Sequence, residues 1–371
     1  MALPRPRRRR TVTAGAFAVV AALAPVLPGG PAAGAAAGPG ATSVVATGCG
    51  TTVGTVLLDT TRNPATGRYA LDDPRRGGHR TYDMRQSTSG SGTLVTDDDN
   101  SWCDGGRQSD AVAAHYVHSV FWDYYRDVHG RTGASGDGRA GCSRVHYGNR
   151  YLNAFYGDCM TYGDGTPPAG PLTRIDIGVH EMTHLVTAAT ANLAFSGESA
   201  GLNEATSDMF AAAAEFHAAN PADPGDYLIA EDTVINGSDV VRRMDRPSRD
   251  GHSKDYWYAG ISRILPQYAA GPANHFFYLL AEGSGAKVIN GVAYDSPTHD
   301  GRPVMGIGRA AAEKIWYKAL TQRMTSTTDY HGARAATLWA AAGLYGSDSP
   351  QYRATDAAWA AVNVKVPGSG R

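Results

Sequence analysis

The sequence predicts an α+β protein whose β-rich first half is followed by a mainly α-helical second half. Two observations support this fold class. Residues from about 51 to 104 alternate short β-type runs with Gly, Asn, Pro and Asp turns. From about residue 176 onward, apolar residues instead recur at helical spacing in longer segments. Runs of strands followed by runs of helices are typical of α+β architecture.

The elements of the first half follow from local patterns. Residues 80–84 and 92–96 alternate as strands do. Residues 109–128 form the first predicted helix, because apolar side chains recur there every four positions. A second β-type stretch surrounds residues 145–147 and 160–162. These elements belong to a predicted β-rich lobe.

The second half begins with a helix predicted over residues 176–193. Further helices are predicted over residues 205–219, 271–282, 307–321, 329–345 and 349–362. We therefore divide the chain into a signal peptide (1–38), a β-rich lobe that includes the 176–193 helix (39–193), a helical lobe (194–366) and a short tail (367–371). The helix at the boundary lies where clefts usually form.

The first 38 residues have the three parts of a secretory signal peptide. Arg5 and residues 7–10 are basic, residues 14–27 are apolar, and small residues follow around 32–38. The apolar run is too short, and is interrupted too soon by Pro25 and Pro28, to span a membrane. The alternative is a disordered Arg-rich tail. A secreted, extracellular protein with no membrane partner is expected.

The cysteine count and the net charge bear on disulfide bonds and on the class of partner. Four cysteines in an oxidising compartment are consistent with two disulfides, which four cysteines can form in three pairings. Proximity in sequence favours Cys49–Cys103 and Cys142–Cys159. The formal net charge of −1 gives no argument for nucleic acid as a partner.

The most informative motif is HEMTH, residues 180–184. His180 and His184 are four residues apart and share one face of a helix, so both imidazoles can converge on one ion. Glu181 lies about 100° further round, where it can reach a water without binding the metal. The pattern predicts a zinc hydrolase. The same five residues can also arise by chance.

The third zinc ligand is predicted in the motif GLNEATSD, residues 201–208. Glu204 follows His184 by 20 residues, enough chain for one helix to end and a second to lie beside it. Asp208 lies four residues after Glu204, on the same helical face. Glu204 can then complete a catalytic three-ligand set while Asp208 accepts the N–H of a ligating histidine. The alternative makes both residues solvated surface carboxylates.

With these motifs, the chain resembles the thermolysin family of secreted neutral zinc metallopeptidases over roughly residues 45–365. The other matching segments are VHYG (145–148), NAF (153–155), MTYGDG (160–165), YLI (227–229) and NHFFYLL (274–280). The resemblance implies a two-lobed fold with the zinc helix at the boundary. It also implies a zinc- and calcium-dependent endopeptidase that acts on protein and peptide substrates, and we expect a monomer.

The resemblance assigns a calcium site to carboxylates outside the zinc motifs. The positions that match the family's ligands are Asp176, Glu215, Asp226 and Glu231. One family carboxylate is replaced by Leu228, which favours one calcium ion over two. Asp176 could instead only stabilise the start of its helix. Asp97 and Asp99 match a further calcium position, with an Asp-rich solvated turn as the alternative.

The resemblance also assigns roles around the substrate. Glu181 would take the proton of the attacking water and pass it to the leaving nitrogen. Asn153 and Ala154 match residues that hold the substrate backbone and leaving amine. Arg242 matches the arginine that hydrogen-bonds the substrate carbonyl, with Arg243 as the alternative. The pocket positions are apolar, which implies cleavage before a bulky apolar residue unless they are simply core; they are Ile177, Ile229 and Val241.

Two positions depart from the family pattern. Gln267 stands where the family has a histidine that stabilises the developing oxyanion, and Phe195 stands where it has a tyrosine. Loss of one such donor typically slows an enzyme by about 10²–10³. The sequence therefore predicts a zinc endopeptidase with weakened oxyanion stabilisation. The alternative is a catalytically weakened or inactive zinc-binding relative that binds peptides or proteins.

Overall fold

The first half of the chain is mainly β-structure in the computed structural model, which describes residues 41–231 and 241–365. Its strands are β1 (Thr42–Gly50), β2 (Gly54–Arg62), β3 (Tyr69–Ala70), β4 (Asp72–Asp73), β5 (His79–Asp83), β6 (Thr93–Leu94), β7 (Thr96–Asp97), β8 (Ser101–Trp102), β9 (Cys142–Val145), β10 (Ala154–Tyr156) and β11 (Met160–Tyr162). They form a five-stranded sheet in the order β7-β3-β2-β1-β8. A six-stranded sheet runs β10-β11-β9-β5-β4, with β6 on β5.

The long hairpin of β1 and β2 leads the first sheet. The two nine-residue strands pair antiparallel from Thr42 opposite Arg62 to Gly50 opposite Gly54. Gly54 has a φ of +65°, which a side chain would disfavour, so the chain can reverse there. The β-type region predicted from the sequence begins only at residue 51, so β1 was not predicted.

The predicted strand over 92–96 divides between the two sheets. Its first part, β6, pairs with β5, whereas β7 pairs with β3. Val95 lies at the crossing: its N–H donates to Thr81 O, and its carbonyl accepts from Leu71 N. The sequence pattern identified the extended backbone but not the change of partner, because pairing depends on distant segments.

Two disulfides hold the first half together. Cys49 at the end of β1 is bonded to Cys103, and Cys142 in β9 is bonded to Cys159, next to β11. Their Cα atoms are 4.8 and 4.6 Å apart, within the range that a disulfide bridges. The pairing favoured from sequence proximity is confirmed.

Helix α1 (Arg107–His129) packs against both sheets and lies close to the predicted 109–128. It ends at Gly130, whose φ of +67° and N–H bond to Arg126 O are typical of a helix C-terminus. Its Tyr125 ring lies 5.6 Å from Phe210 of the second half. The apolar core therefore runs continuously through both halves.

The second half is mainly helical, as predicted. Its helices are α2 (Ile175–Ala188), α3 (Gly197–Ala218), α4 (Pro266–Ala269), α5 (Gly271–Glu282), α6 (Arg309–Gln322), α7 (Tyr330–Tyr345) and α8 (Pro350–Ala361). Two short antiparallel pairs were not predicted: β12 (Leu228–Ile229) with β13 (Arg242–Arg243), and β14 (Gly285–Ile289) with β15 (Val292–Ser296).

The boundaries between α2 and α3 differ from the prediction. Helix α2 ends at Ala188 rather than near residue 193, because Asn192 adopts a φ of +52° and its N–H returns to Thr187 O. Helix α3 begins at Gly197, eight residues before the predicted start, since the Gly and Ser residues that suggested a turn form its first turn. Glu204 is therefore inside a helix rather than at its start.

The predicted division after residue 193 falls between α2 and α3, and it stays a prediction. The predicted signal peptide and the tail after residue 366 lie outside the described residues. Within residues 41–231 and 241–365, none of the helices combines the length and apolar character that a membrane span needs.

Candidate metal centre and active site

Helix α2 places both histidines of the HEMTH motif on one buried face. His180 is 5% exposed and His184 is 6% exposed. Their ring centroids are 4.8 Å apart and their planes are nearly perpendicular, at 89°. The helix is buried on most sides because residues before and after the motif are apolar, which fixes the two rings between the lobes.

Helix α3 brings Glu204 to the same point. Its carboxylate oxygens lie 3.5 Å from His180 Nε2 and 3.8 Å from His184 Nε2. The three residues form a cluster whose possible ligand atoms lie within 4.8 Å of one another. The sequence placed these three side chains together, and the structure brings them together.

The cluster has the character of a zinc site. Within residues 41–231 and 241–365, His184 Nε2 and Glu204 Oε1 are buried and have no hydrogen-bond partner. A buried polar atom without a partner costs roughly 1–3 kcal/mol, so the arrangement is favourable only if something else binds these atoms. Two imidazole nitrogens and one carboxylate are a donor set that catalytic zinc uses.

The outer nitrogens of both rings are held by hydrogen bonds. His180 Nδ1 lies 2.8 Å from Asp208 Oδ1, as the sequence predicted for one of the two rings. His184 Nδ1 lies 2.8 Å from Asn203 Oδ1, and Asn203 Nδ2 donates to Leu193 O, which fixes the orientation of that amide. Both rings therefore direct Nε2 toward Glu204.

Asn203 was not predicted. It directly precedes Glu204, and this adjacency was the signal available in the sequence. Spacing alone did not indicate that its side chain faces His184, because that depends on the angle at which α3 crosses α2.

Asp208 is a meeting point of charged and polar groups. Besides His180, it accepts two hydrogen bonds from Arg242: Nε to Oδ2 at 2.8 Å and Nη2 to Oδ1 at 2.7 Å. Asn274 Nδ2 donates to Oδ2 at 2.7 Å. Burial by itself would raise the pKa of Asp208, but Arg242 and His180 lower it below its usual value. The side chain is therefore an anion at every physiological pH.

The two imidazoles differ in their electrostatics. Burial would lower the pKa of His180, but the neighbouring Asp208 and Glu204 carboxylates raise it to about 10. Burial lowers the pKa of His184 to about 4. The carboxylates around His180 thus attract a positive charge, which a divalent cation supplies in place of the proton.

Glu181 projects into the cleft beside these groups. It is 5% exposed, and burial raises the pKa of its carboxyl group to about 7. A carboxyl group with this pKa can accept and release a proton near neutral pH.

A cleft next to the cluster contains most of the residues that the resemblance assigned to the substrate. It is lined by Leu152, Ala154, Leu172, Ile177, His180, Glu181, Glu204, Ile229, Ala230, Val241, Arg242 and Gln267. Arg242 faces this cleft, whereas Arg243 is paired with Asp245. Asn153 is not among the lining residues; its Oδ1 accepts from Ala154 N. Leu152 and Leu172 are apolar residues of the cleft wall that were not predicted from the sequence.

Phe195 lies at the edge of the centre, with its ring centroid 5.6 Å from that of His184. Its side chain is 41% exposed. Gln267 stands on α4, on the cleft wall formed by the helical lobe. Both departures from the family pattern therefore lie close to the cluster.

A second group of carboxylates lies at the start of α2. Asp176, Glu215 and Glu231 have possible ligand oxygens within 4.8 Å of one another. Asp226 lies beside them, since its N–H donates to Glu215 Oε2 at 3.1 Å. Burial and the neighbouring Glu231 raise the pKa of Glu215, and burial with Asp176 raises that of Glu231 to about 10. Buried carboxylates that raise one another's pKa suit a hard cation.

Asp97 and Asp99 have a different environment. Asp97 Oδ1 accepts from Asp99 N, and Asp99 Oδ1 accepts from Ser101 N. Gln108 donates to the other oxygen of Asp97. These bonds describe a hydrogen-bonded Asp-rich turn, and a calcium ion there stays a prediction.

Comparison with known proteins agrees with this geometry. The family model described as thermolysin metallopeptidase, catalytic domain, matches residues 45–188. The model described as thermolysin metallopeptidase, alpha-helical domain, matches residues 191–364. The two matches meet between α2 and α3, and family membership supports zinc as the metal.

Two curated relatives carry metallopeptidase names. The transglutaminase-activating metalloprotease of Streptomyces mobaraensis is 58% identical over 318 residues, covering 84% of this chain and 41% of the relative. Bacillolysin of Brevibacillus brevis is 38% identical over 334 residues, covering 87% of this chain and 58% of the relative. The chain thus spans between two fifths and three fifths of the length of these relatives.

A solved structure supports the fold. The precursor of protealysin, a metalloproteinase from Serratia proteamaculans, superimposes with a TM-score of 0.60 at 24% identity, covering 77% of this chain and 87% of that one. At this identity the similarity concerns the fold alone. The two family models match consecutive parts of the chain, and the motifs occur in the family's order and form one cluster. The chain therefore belongs to the thermolysin family of metallopeptidases.

Proposed function

We propose that this chain is a zinc-dependent endopeptidase with weakened oxyanion stabilisation. The observation that carries the proposal is the convergence of His180, His184 and Glu204, with two buried ligand atoms that lack hydrogen-bond partners. His180, His184 and Glu204 would hold the ion, and Asp208 and Asn203 would orient the two rings. Zinc bound there lowers the pKa of a water and polarises the scissile carbonyl.

Glu181 would act as the general base and then as the general acid. It takes a proton from the attacking water and delivers it to the leaving nitrogen, which requires a pKa near the working pH. Burial supplies that pKa, about 7. The same burial excludes bulk water, so the proton remains at the reacting groups.

Substrate binding would use the opposite sides of the cleft. Asp208 holds the Nε and Nη2 groups of Arg242, and the Nη1 group of Arg242 would donate to a substrate carbonyl in the cleft. Asn153 and Ala154 would hold the substrate backbone and the leaving amine. The apolar walls favour a bulky apolar residue after the scissile bond, since Ile177, Ile229 and Val241 lie together in the cleft.

Gln267 and Phe195 would limit the rate. Gln267 faces the cleft and its amide can donate one neutral hydrogen bond to the oxyanion. Phe195 has no donor at all. Each lost charged or hydroxyl donor is expected to lower kcat by about 10²–10³, with Gln267 recovering part of that loss.

The test is turnover of casein and of a peptide by the wild-type protein, Glu181→Gln and Gln267→His, with zinc content measured in each. We expect Glu181→Gln to keep zinc and lose about 10²–10⁴ in rate, and Gln267→His to be faster than wild type by about tenfold or more. A wild-type rate equal to that of Glu181→Gln would instead favour a zinc-containing peptide-binding protein. No gain in Gln267→His would contradict the role given to that position.

A calcium ion is proposed at Asp176, Glu215, Asp226 and Glu231. Calcium at 100 times its Kd would stabilise the fold by about 2.7 kcal/mol, which corresponds to roughly 3–4 °C in thermal midpoint for a chain of this size. We expect an EGTA-treated protein to lose this increment, and Glu215→Gln to lose the response to calcium. Asp97→Asn is the matched control: if it alone abolished the response, the ion would belong to the Asp-rich turn.

The chain is proposed to be a secreted, extracellular monomer without nucleic-acid or membrane partners. The basis is the leader pattern in residues 1–38 and the formal net charge of −1. N-terminal sequencing of protein from the culture medium should begin near residue 39, and sedimentation should give the mass of one chain. Retention of the protein in the cell would contradict secretion.

A further inference from the structure

Asp208 joins three separate segments of the chain at the metal centre. Its Oδ1 accepts from His180 Nδ1 and Arg242 Nη2, and its Oδ2 accepts from Arg242 Nε and Asn274 Nδ2. All four distances lie between 2.7 and 2.8 Å. The carboxylate thus has two donors on each oxygen, which holds its plane in one orientation.

Asn274 supplies one of these four bonds from the first turn of α5. It is 1% exposed, and its backbone N–H bonds Ala270 O. Its amide orientation follows from the contact itself, because a carboxylate accepts hydrogen bonds and only the NH₂ side can donate. Among the residues that the structure describes, its Oδ1 is buried without a hydrogen-bond partner, so the bond to Asp208 is the one that fixes this amide.

The hydrogen bond between Asn274 and Asp208 also holds in place the side of the cleft that carries Gln267. Helix α5 follows α4 directly, and α4 lies tightly against α3 at Gly201. A Cβ on Gly201 would lie 3.0 Å from the carbonyl carbon and oxygen of Ala269, so a larger residue would require α4 to shift by a few tenths of an ångström. Asn274 therefore bridges the segment that bears Gln267 to the helix that bears Glu204.

Removing the Asn274 donor would free one side of the carboxylate. Oδ2 would then have a single donor, Arg242 Nε, while Oδ1 kept two. Rotation of the carboxylate toward the guanidinium would lengthen its bond to His180, because His180 and Arg242 share Oδ1. The orientation of a zinc ligand and that of the carbonyl-binding arginine are thus linked through one side chain.

We propose that Asn274 is a positioning residue of the metal centre, which holds Asp208 so that His180 and Arg242 keep their relative orientation. This inference rests on the proposed zinc site. Groups that orient zinc ligands typically contribute 10–100-fold to metal affinity. Asn274 acts one contact further away, so we expect a smaller effect, about three- to tenfold.

The test compares Asn274→Leu with the wild-type protein. The substitution keeps a similar volume and removes the donor. Zinc affinity is measured by competition with a chromophoric chelator, and cobalt(II) is loaded in place of zinc so that its visible absorption bands report the ligand geometry. We expect zinc binding to weaken by about three- to tenfold and the cobalt bands to shift.

Thr337→Val is the matched control. Thr337 is also fully buried, and its hydroxyl accepts from Trp359 Nε1 at 2.7 Å between α7 and α8. Its loss should lower the thermal midpoint about as much as Asn274→Leu does, with zinc affinity and the cobalt spectrum unchanged. Asn274→Ala serves as the second variant if the leucine side chain prevents folding.

Each outcome decides between the two roles. Weakened zinc binding and shifted cobalt bands with Asn274→Leu, but not with Thr337→Val, support the positioning role. Wild-type zinc affinity and an unchanged spectrum in both Asn274 variants overturn it, and leave the proposed function in place. A wild-type protein that binds no zinc overturns the proposed function itself, and the positioning role with it.

Discussion

Two groups of buried histidines in this molecule have very different surroundings. The metal centre contains His180 and His184, and a histidine cluster in the β-rich lobe contains His79, His115 and His118. All five are at most 6% exposed, so burial does not separate them. The two groups differ instead in their hydrogen-bond partners and in the directions of their ring nitrogens.

In the metal centre the ring nitrogens converge. Each Nδ1 is held by a side-chain oxygen, and each Nε2 is directed to the same carboxylate of Glu204. In the histidine cluster the rings of His79 and His118 stack in parallel, 3.5 Å apart with planes at 6°. Lone pairs lie in the ring plane, so parallel stacked rings cannot direct both toward one ion.

The charges near the histidine cluster are also already paired. Arg76 binds the nearby carboxylates of Asp59, Asp73 and Asp123 at 2.7–2.8 Å. His115 is satisfied by Thr81 Oγ1 and by the backbone carbonyl of Asp59. The two groups therefore differ in geometry: the Nε2 atoms of His180 and His184 converge on the Glu204 carboxylate, whereas the rings of His79 and His118 are stacked.

The largest expected difference concerns removal of one histidine. His184→Ala deletes a ligand and should lower zinc affinity by at least about 10²-fold, beyond the effect of losing a partner that only orients a ligand. His118→Leu removes an equally buried imidazole and should leave zinc content unchanged. Metal analysis after dialysis measures both. Zinc loss in His118→Leu would show that the two groups are coupled.

A smaller difference is expected for the partners of the rings. Asn203→Leu removes the nearer of two oxygens at His184 Nδ1, leaving Ser207 Oγ at 3.2 Å, and should weaken zinc binding by about tenfold. Thr81→Val removes the partner of His115 Nδ1 and should cost only about 1 kcal/mol of folding free energy. Chelator competition and urea unfolding distinguish them. Equal zinc affinity in the two variants would contradict the assignment of Asn203.

The smallest effect is on acid stability. Burial lowers the pKa of His79, His115 and His118 below 6.5, and the Arg76 cation further lowers those of His79 and His118, whereas Asp72 and Asp73 partly oppose the shift at His115. Their folded state binds fewer protons than the unfolded chain, so their contribution to stability is complete above pH 6.5 and is lost as the pH falls.

His118→Leu should therefore make the free energy of unfolding less dependent on pH in the acidic range. One titrating group contributes a slope of at most about 1.4 kcal/mol per pH unit, and the variant should lose that increment between about pH 6.5 and 4.5. Urea unfolding at several pH values measures it in wild type and variant. Parallel curves would mean that His118 is protonated without cost in the folded protein.

Much of the fold was predictable because its signals are local. Helix α5 was predicted with its observed ends, and α1, α6, α7 and α8 within about two residues, since each has helical apolar spacing and clear breakers. Apart from β6 and β7, the two-residue strands were not predicted, and neither was the start of α3. A strand such as β13 has no local signal, because its extended shape depends on pairing with β12.

The residues of the candidate site also divide into those with a local sequence signal and those without one. His180, Glu181 and His184 were predicted from helical periodicity, and Glu204 with Asp208 from a second motif at a suitable distance. Asn203 and Asn274 were not predicted as partners of the site. Asparagine is common and has no distinctive spacing, so its role appears only when two helices cross at a particular angle.

By itself, the sequence determined which residues are candidate zinc ligands, because their spacing within each helix follows from 3.6 residues per turn. It also determined the helical character of the segments that carry them. Only the tertiary structure decided which nitrogens converge, which carboxylate is left unpaired, and that Asp208 joins His180, Arg242 and Asn274. These are contacts between residues up to 66 positions apart, from Asp208 to Asn274, and they depend on helix packing rather than on local propensity.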